Sequence, residues 1–231
     1  MTADRLPAPT AADVAAQVQR VHDRIAAAGG DPAGIRLVAV TKGFGPEVAR
    51  SAVEAGLVDL GENYAQELVA KVEDLGGADG PATGVRWHFL GRLQTNKVRH
   101  LAPFVSLWQS VDRADLVREI AKRAPGAAVL VQINLSGEAQ KGGCAAADVP
   151  ALVGLARDSG LEVRGFMGVA PAGPPEAARP GFERLVALAD AFELPERSIG
   201  MSGDLEVAVA CGATMVRVGR DLFGDRPPRD G

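Results

Sequence analysis

Cysteine and long apolar runs are scarce in this sequence of 231 residues. The two cysteines, Cys144 and Cys211, are isolated from one another and indicate neither a disulfide framework nor a metal-ligand spacing. No apolar run is long enough to span a bilayer, and residues 1–5 lack the basic and apolar regions of a signal peptide. We therefore expect a cytoplasmic protein with no metal site and no membrane partner.

An excess of positive charge is also missing. The chain has 25 Lys and Arg residues against 29 Asp and Glu residues, which gives a formal net charge of -4. A nucleic-acid surface would show a basic stripe or patch, so this balance argues against a nucleic-acid partner. The hydrophobic content of 47% and the charged content of 23% are instead typical of a soluble globular protein with a sizeable core.

Short apolar segments alternate with helical segments along the chain, which is typical of parallel strands joined by crossover helices. The predicted strands cover residues 36–41, 58–61, 85–90, 104–109, 127–135, 161–169, 198–201 and 214–218. Eight such units predict an α/β fold, a single (β/α)8 TIM barrel. An open doubly wound sheet is the alternative, but no Gly-x-Gly-x-x-Gly motif follows the first strand.

An extra helix precedes the first strand. Thr10 and Asp13 form a variant of the capping box, apolar residues follow at helical spacing, and Gly29 and Gly30 end the helix. The predicted domain boundaries are a disordered N-terminal lead over 1–9, the barrel over 10–226 and a C-terminal tail over 227–231.

A lysine stands at the end of the first predicted strand. Residues 37–40 are apolar, as in a strand buried on both faces, and Thr41, Lys42 and Gly43 follow in that order. Such a strand rarely ends in an ammonium group without a reason, because desolvation disfavours the charged form. A neutral lysine amine can form a Schiff base with a carbonyl compound. The alternative is a strand-end lysine that reaches into solvent.

The loops after strands seven and eight of a barrel commonly bind phosphate. Here these loops contain Ser202 and Gly203, and Gly219 and Arg220. The glycines permit close backbone approach, and the serine offers a hydroxyl. Because closure makes strand one a neighbour of strand eight, Lys42 would lie beside this loop pair. The joint ligand would be a phosphorylated aldehyde, pyridoxal 5'-phosphate (PLP), although each residue alone also fits a turn or a helix cap.

Strand eight adds an arginine to this region. With a period of two, Arg217 shares a face with Met215 and Gly219 and can point toward the barrel mouth beneath a bound ring. A permanently protonated arginine can donate to a pyridine nitrogen but disfavours its protonation, which weakens the ring as an electron sink. An ion pair between Arg217 and a strand-end carboxylate is the alternative.

Seven segments together carry a resemblance to a known family. They are 37–42 (LVAVTK), 60–67 (LGENYAQE), 87–97 (WHFLGRLQTNK), 131–134 (VQIN), 164–167 (RGFM), 200–205 (GMSGDL) and 212–219 (GATMVRVG). In these segments, which span nearly the whole chain in order, the sequence resembles the YggS/PROSC family of PLP-binding proteins.

The resemblance implies a barrel like the N-terminal domain of alanine racemase, with PLP bound as an internal aldimine on Lys42. The further contacts that it implies are the phosphate at Ser202, Gly203, Gly219 and the amide of Arg220, the pyridine nitrogen at Arg217, and the ring hydroxyl at Asn63. His88 and residues 94–97 also match the family, but no chemical role follows for them, and a packed strand-end histidine is favoured.

Three functions compete. The resemblance implies a non-enzymatic carrier in vitamin B6 and amino-acid homeostasis, which supplies PLP to apoenzymes. A PLP-dependent racemase is the alternative, but it needs a base on each face of the ring, and Tyr64 is the single tyrosine. A phosphosugar-binding barrel that uses Lys42 as a phosphate clamp is the third. We expect the carrier, with no catalytic residue, and a monomer, because the part that builds the racemase dimer does not follow strand eight.

Overall fold

The protein forms a closed barrel of eight parallel strands in chain order, in which β8 pairs with β1. The computed structural model describes residues 8–77, 84–137 and 142–227. The strands are β1 (Arg36–Val40), β2 (Asp59–Glu62), β3 (Arg86–Phe89), β4 (Val105–Val111), β5 (Ala128–Asn134), β6 (Glu162–Val169), β7 (Glu196–Ser198) and β8 (Met215–Val218). The predicted (β/α)8 barrel is thereby confirmed.

Helices cover the outside of the barrel. They are α1 (Ala11–Ala27), α2 (Pro46–Glu54), α3 (Ala65–Asp74), α4 (Thr95–Leu101), α5 (Ala114–Arg123), α6 (Val149–Asp158), α7 (Arg179–Ala191), α8 (Leu205–Ala210) and α9 (Arg220–Phe223). The extra helix α1 begins with the predicted capping box, in which Thr10 Oγ1 accepts from the Asp13 amide and Asp13 accepts from the Thr10 amide.

Two hydrophobic cores follow from the alternation of side chains along the strands. A small cluster fills the barrel interior and includes Val38, Leu130, Met167 and Met215. The larger cluster lies between the outer face of the barrel and the helices. Because the interior is packed with side chains, a ligand has room only at the ends of the barrel.

Strand β7 differs from its prediction. The sequence predicts this strand over 198–201, whereas β7 covers Glu196–Ser198. Gly200, with φ +94°, turns the chain out of the extended conformation, and the polar start of β7 is explained by Glu196, which accepts from Arg36 at 3.2 Å. The prediction of 198–201 was therefore wrong by two residues at its start and three at its end.

Three short elements of the described residues add to the predicted pattern. Residues 146–148 and 175–178 form 3₁₀ turns, and α9 follows β8 directly. Within the described residues no helix is long and apolar enough to cross a membrane, and no three His, Cys, Asp or Glu side chains are grouped as a metal site would require. Most of the predicted lead (1–9) and of the tail (227–231) lies outside the described residues, so both remain predictions.

Candidate cofactor site at the carboxyl ends of the strands

A cavity of about 670 Å³ opens at the carboxyl ends of the strands. All seven residues that the sequence predicts as a site line it: Lys42, Asn63, Ser202, Gly203, Arg217, Gly219 and Arg220. They come from the ends of β1, β2, β7 and β8, which closure of the barrel brings to one mouth.

The charge of the lining is predominantly positive. Lys42 and four arginines line the cavity, whereas Asp225 is an acidic side chain in the lining and pairs with Arg220 at 3.1 Å. Such a lining favours an anionic ligand, because a cleft of one sign focuses the field on its interior.

Lys42 lies two residues beyond the end of β1, between two anchored peptide groups. The carbonyl of Thr41 accepts from Lys71 Nζ at 2.7 Å, and the amide of Gly43 donates to Glu67 Oε2 at 2.7 Å. Gly43 has φ +77°, a conformation that glycine adopts without strain. The backbone on each side of Lys42 is thus held by side chains of α3.

Lys71 belongs to a buried ionic cluster behind Lys42. Its Nζ lies 2.5 Å from Glu62 Oε1, and Thr41 Oγ1 donates to the same oxygen at 2.6 Å. Burial raises the pKa of Glu62, and the charge of Lys71 opposes that rise. The sequence prediction missed this cluster. The available signal was Lys71 itself, which lies three residues from Leu68 and next to Val72 on the buried face of α3.

Arg217 is buried, with its guanidinium fixed by neutral oxygens. It donates to Ser198 O at 2.6 Å, to Ser198 Oγ at 2.8 Å and to Gly168 O at 2.9 Å. In the described part of the chain these oxygens, rather than the alternative strand-end carboxylate, are its hydrogen-bond partners. Burial lowers the pKa of Arg217 to about 10, and Asp204 opposes the shift. Arg217 therefore keeps its charge at neutral pH.

A chain of polar side chains continues from Arg217 across the barrel interior. Ser198 Oγ donates to Gln109 Oε1 at 2.7 Å, and Gln109 Nε2 lies 2.7 Å from His88 Nδ1. His88 Nε2 then lies 2.9 Å from Asp59 Oδ1. Burial by itself would raise the pKa of Asp59, but hydrogen bonds from His88 and Arg86 lower it to about 2. His88, for which the sequence indicated no chemical role, is therefore buried and joins Gln109 to Asp59 in this series of hydrogen-bonded side chains.

Arg24 of α1 holds the two loops that carry the predicted phosphate contacts. It donates to the carbonyl of Ser202 at 3.0 Å and to Glu206 at 2.6 Å, and it pairs with Asp221 of α9. The amide of Asp221 donates to Ser202 Oγ at 3.3 Å. The loop after β7 and the start of α9 are thus tied together through one guanidinium.

The two glycines of these loops differ in their surroundings. A Cβ built on Gly203 would meet no atom within 4 Å, whereas one on Gly219 would lie 3.0 Å from the carbonyl oxygen of Val40. Open space for a ligand therefore lies beside Gly203, and Gly219 is required for the close approach of β8 to β1.

Asn63 contributes an unsatisfied acceptor. Its Oδ1 is buried and has no hydrogen-bond partner among the described residues. Gly91 lies close against the Asn63 backbone, because a Cβ added to Gly91 would lie 2.1 Å from the Asn63 carbonyl oxygen. A buried acceptor without a partner is a position at which a ligand donor would be stabilised.

A second cleft of about 510 Å³ adjoins the cavity and shares Asn63 and Arg92 with it. Gln94 and Lys97 of the unassigned motif line this cleft, as does Tyr64. The motif therefore lies next to the predicted site and outside its lining.

Comparison with known proteins agrees with this geometry. Residues 12–227 match the family described as alanine racemase, N-terminal domain. The chain is 39% identical over 224 residues to the pyridoxal phosphate homeostasis protein of Pseudomonas aeruginosa, which covers 94% of this chain and 95% of that protein.

Solved structures share the barrel. PipY of Synechococcus elongatus, at 31% identity, gives a TM-score of 0.81 without PLP, over 91% of this chain and 100% of PipY. The structure of PipY with PLP bound gives a TM-score of 0.73, over 88% of this chain and 100% of PipY. An alanine racemase of Streptomyces coelicolor, at 23% identity, gives 0.72 over 92% of this chain and 58% of the racemase chain, and shows the same fold.

Proposed function

The chain belongs to the pyridoxal phosphate homeostasis protein family, and from that premise we propose that it carries PLP covalently on Lys42 and acts in PLP homeostasis without catalysing a reaction. The observation that carries the proposal is a single cavity lined by Lys42, Asn63 and Arg217 together with Ser202 and Gly219 of the two loops. A lysine amine and a phosphate-binding loop pair at one barrel mouth suit a phosphorylated aldehyde.

The residues present fit this cofactor. The volume lies within the range of about 300–1,000 Å³ that small-molecule sites occupy. The unsatisfied Oδ1 of Asn63 suits a ligand hydroxyl, and the open space beside Gly203 leaves room for a phosphate against the backbone. The basic lining suits the anionic charge of the whole ligand.

Each side of the cavity has a separate task in this proposal. Bound PLP supplies an aldehyde, which condenses with a primary amine and releases one water molecule. Lys42 presents that amine, while Ser202 and the backbone of the two glycine loops hold the phosphate. Arg217 would hold the ring nitrogen as a donor that stays charged, which would disfavour proton uptake by that nitrogen.

A carrier role is favoured over a racemase by the position of the tyrosine. Racemisation requires an acid or base on each face of the substrate carbon. Tyr64, the single tyrosine of the sequence, lines the neighbouring cleft and is not among the residues that line the cavity. We therefore propose that the protein releases PLP to recipient apoenzymes as a monomer in the cytoplasm.

Absorbance and covalent trapping test the proposal. The purified protein should be yellow, and Lys42→Ala should lose both the absorbance band and the borohydride-trapped adduct, because no amine remains at the end of β1. Mass spectrometry should place the adduct of the unmodified chain on Lys42. An adduct on another lysine such as Lys97 would contradict the assignment, as would a colourless phosphosugar complex.

A further inference from the structure

The peptide groups on both sides of Lys42 are hydrogen-bonded to charged side chains of one helix. Lys71 holds the carbonyl of Thr41 at 2.7 Å, and Glu67 holds the amide of Gly43 at 2.7 Å. Both side chains project from α3, one helical turn apart, and Lys71 Nζ lies 3.8 Å from Glu67 Oε2. A single rigid element therefore fixes the backbone before and after Lys42.

Stability alone is a weak explanation for this arrangement. Lys71 and Glu62 are 1% and 0% exposed, and the desolvation of a buried ion pair commonly offsets much of its attraction. Glu62 Oε2 has no hydrogen-bond partner among the described residues, which adds to the cost. A cluster that is costly to bury, and that contacts the backbone beside a reactive lysine, indicates a positional role.

We propose that Glu67 and Lys71, with Glu62 behind them, are positioning residues that hold the Lys42 backbone so that its amine is aimed at the aldehyde of PLP. The proposal rests on the function proposed above and adds the residues that control the covalent step. In that step the Lys42 nitrogen attacks the aldehyde carbon and a C=N bond forms. The carbonyl oxygen leaves as water with two hydrogens from the amine. The helix acts on the orientation of the nucleophile and not on phosphate binding.

The same contacts explain why Lys71 does not compete with Lys42. The residue is 1% exposed and its ammonium donates to Glu62 and to the carbonyl of Thr41, so the ammonium is directed away from the cavity. Lys71 is accordingly not among the residues that line the cavity.

A comparison of the binding of two ligands distinguishes the covalent step from the non-covalent part of binding. PLP can condense with Lys42, whereas pyridoxine 5'-phosphate has the same ring and phosphate with an alcohol in place of the aldehyde. Glu67 is the position to vary, because its side chain is 29% exposed and its replacement leaves the buried pair of Lys71 and Glu62 in place.

Glu67→Ala should slow the appearance of the absorbance band and weaken PLP binding by roughly tenfold, because one charge-assisted hydrogen bond to the Gly43 amide is lost. Binding of pyridoxine 5'-phosphate should change by less than about twofold, which also shows that the variant is folded. Glu67→Gln keeps an acceptor oxygen and should restore most of the rate.

Glu73→Ala is the matched control, because Glu73 lies on the same helix and is exposed. It should behave as the unmodified chain. Equal weakening of both ligands by Glu67→Ala, or an unchanged rate, would overturn the positioning role. The proposed function fails separately, if Lys42→Ala retains the adduct.

Discussion

Gly203 and Gly219 differ in what an added Cβ would contact, so a substitution at one tests ligand binding and a substitution at the other disturbs packing. Both glycines were predicted as phosphate contacts, on the argument that a side chain would obstruct the backbone. A Cβ on Gly219 would press on the carbonyl of Val40 at 3.0 Å, so a substitution there would disturb β1 next to Lys42. A Cβ on Gly203 would enter open space at the cavity. Gly203 is therefore the residue at which the phosphate site can be tested without disturbing the barrel.

Gly203→Val should weaken PLP binding roughly tenfold to a hundredfold, which corresponds to about 1.5–3 kcal/mol for lost charge-assisted contacts. Binding of pyridoxal, which lacks the phosphate, should be unchanged, since the ring side of the cavity is untouched. Titration followed by absorbance measures both ligands. Gly154→Val is the control, because Gly154 lies on α6 and is also open at Cβ. Equal affinity of Gly203→Val and the parent for PLP would remove this loop from the site.

At the scale of elements, the sequence predicted strongly apolar segments well and polar or glycine-broken ones poorly. The strand predicted over 36–41 from its unbroken apolar run is β1 (Arg36–Val40), and the helix predicted over 95–101 is α4 with the same bounds. The prediction of β7 was displaced because its residues, Glu196–Ser198, are polar. The apolar residues Ile199 and Met201 lie instead in the loop that Gly200 bends. Helix α9 has four residues, too few to show a helical period.

The sequence predicted residues that line the candidate site, but it did not predict the side chains that hold those residues in place. Lys42 and the loops of Ser202 and Gly219 lie at strand ends, where the barrel rule places sites, and motif resemblance added Asn63. The contacts of Lys71 with Thr41 and of Arg24 with Ser202 join segments 30 and 178 residues apart. Spacing along the chain carries no signal for such contacts, because the closed barrel alone brings these segments together.

Helix α1 has a testable role in binding, although it precedes the barrel. Arg24→Ala should weaken PLP binding by roughly three- to tenfold, because the loop of Ser202 and helix α9 lose their shared guanidinium. The effect is modest because Arg24 is one-third exposed. Pyridoxal binding should not change, and the trapped adduct on Lys42 should still form.

Arg20→Ala provides the comparison for that measurement, since Arg20 is an exposed arginine on the same helix. An equal loss for PLP and pyridoxal in Arg24→Ala would mean that α1 supports the whole barrel rather than the phosphate loops. Thermal denaturation of both variants distinguishes the two cases.

At the scale of the whole molecule, the charge of the cavity lining is opposite in sign to the net charge of the chain. The chain carries a formal charge of -4, yet the cavity at the carboxyl ends of the strands is lined by Lys42 and four arginines. Local focusing by these cations can attract an anionic ligand to a molecule that is acidic overall. The same lining is poor in groups that move protons, because arginine stays protonated at neutral pH.

This lining predicts binding without turnover. Within the described residues, Lys42 and Asp225 are the amine and the carboxylate of the lining, and Asp225 is exposed and paired with Arg220. Arg217, which stays charged, disfavours protonation of a ring nitrogen and so weakens any stabilisation of negative charge at a substrate carbon. The PLP-loaded protein should therefore bind amino acids without racemising them.

Incubation with L- and D-alanine in deuterium oxide tests this prediction. Both enantiomers should change the absorbance, because an entering amine needs only to displace Lys42. Deuterium uptake at Cα and chiral chromatography should show no more exchange than free PLP gives under the same conditions. Exchange or racemisation at an ordinary enzymatic rate, roughly 1–1,000 per second, would instead establish an enzyme. Such a rate would also require a second proton-transfer group, and Tyr64→Phe would then show whether the neighbouring cleft supplies it.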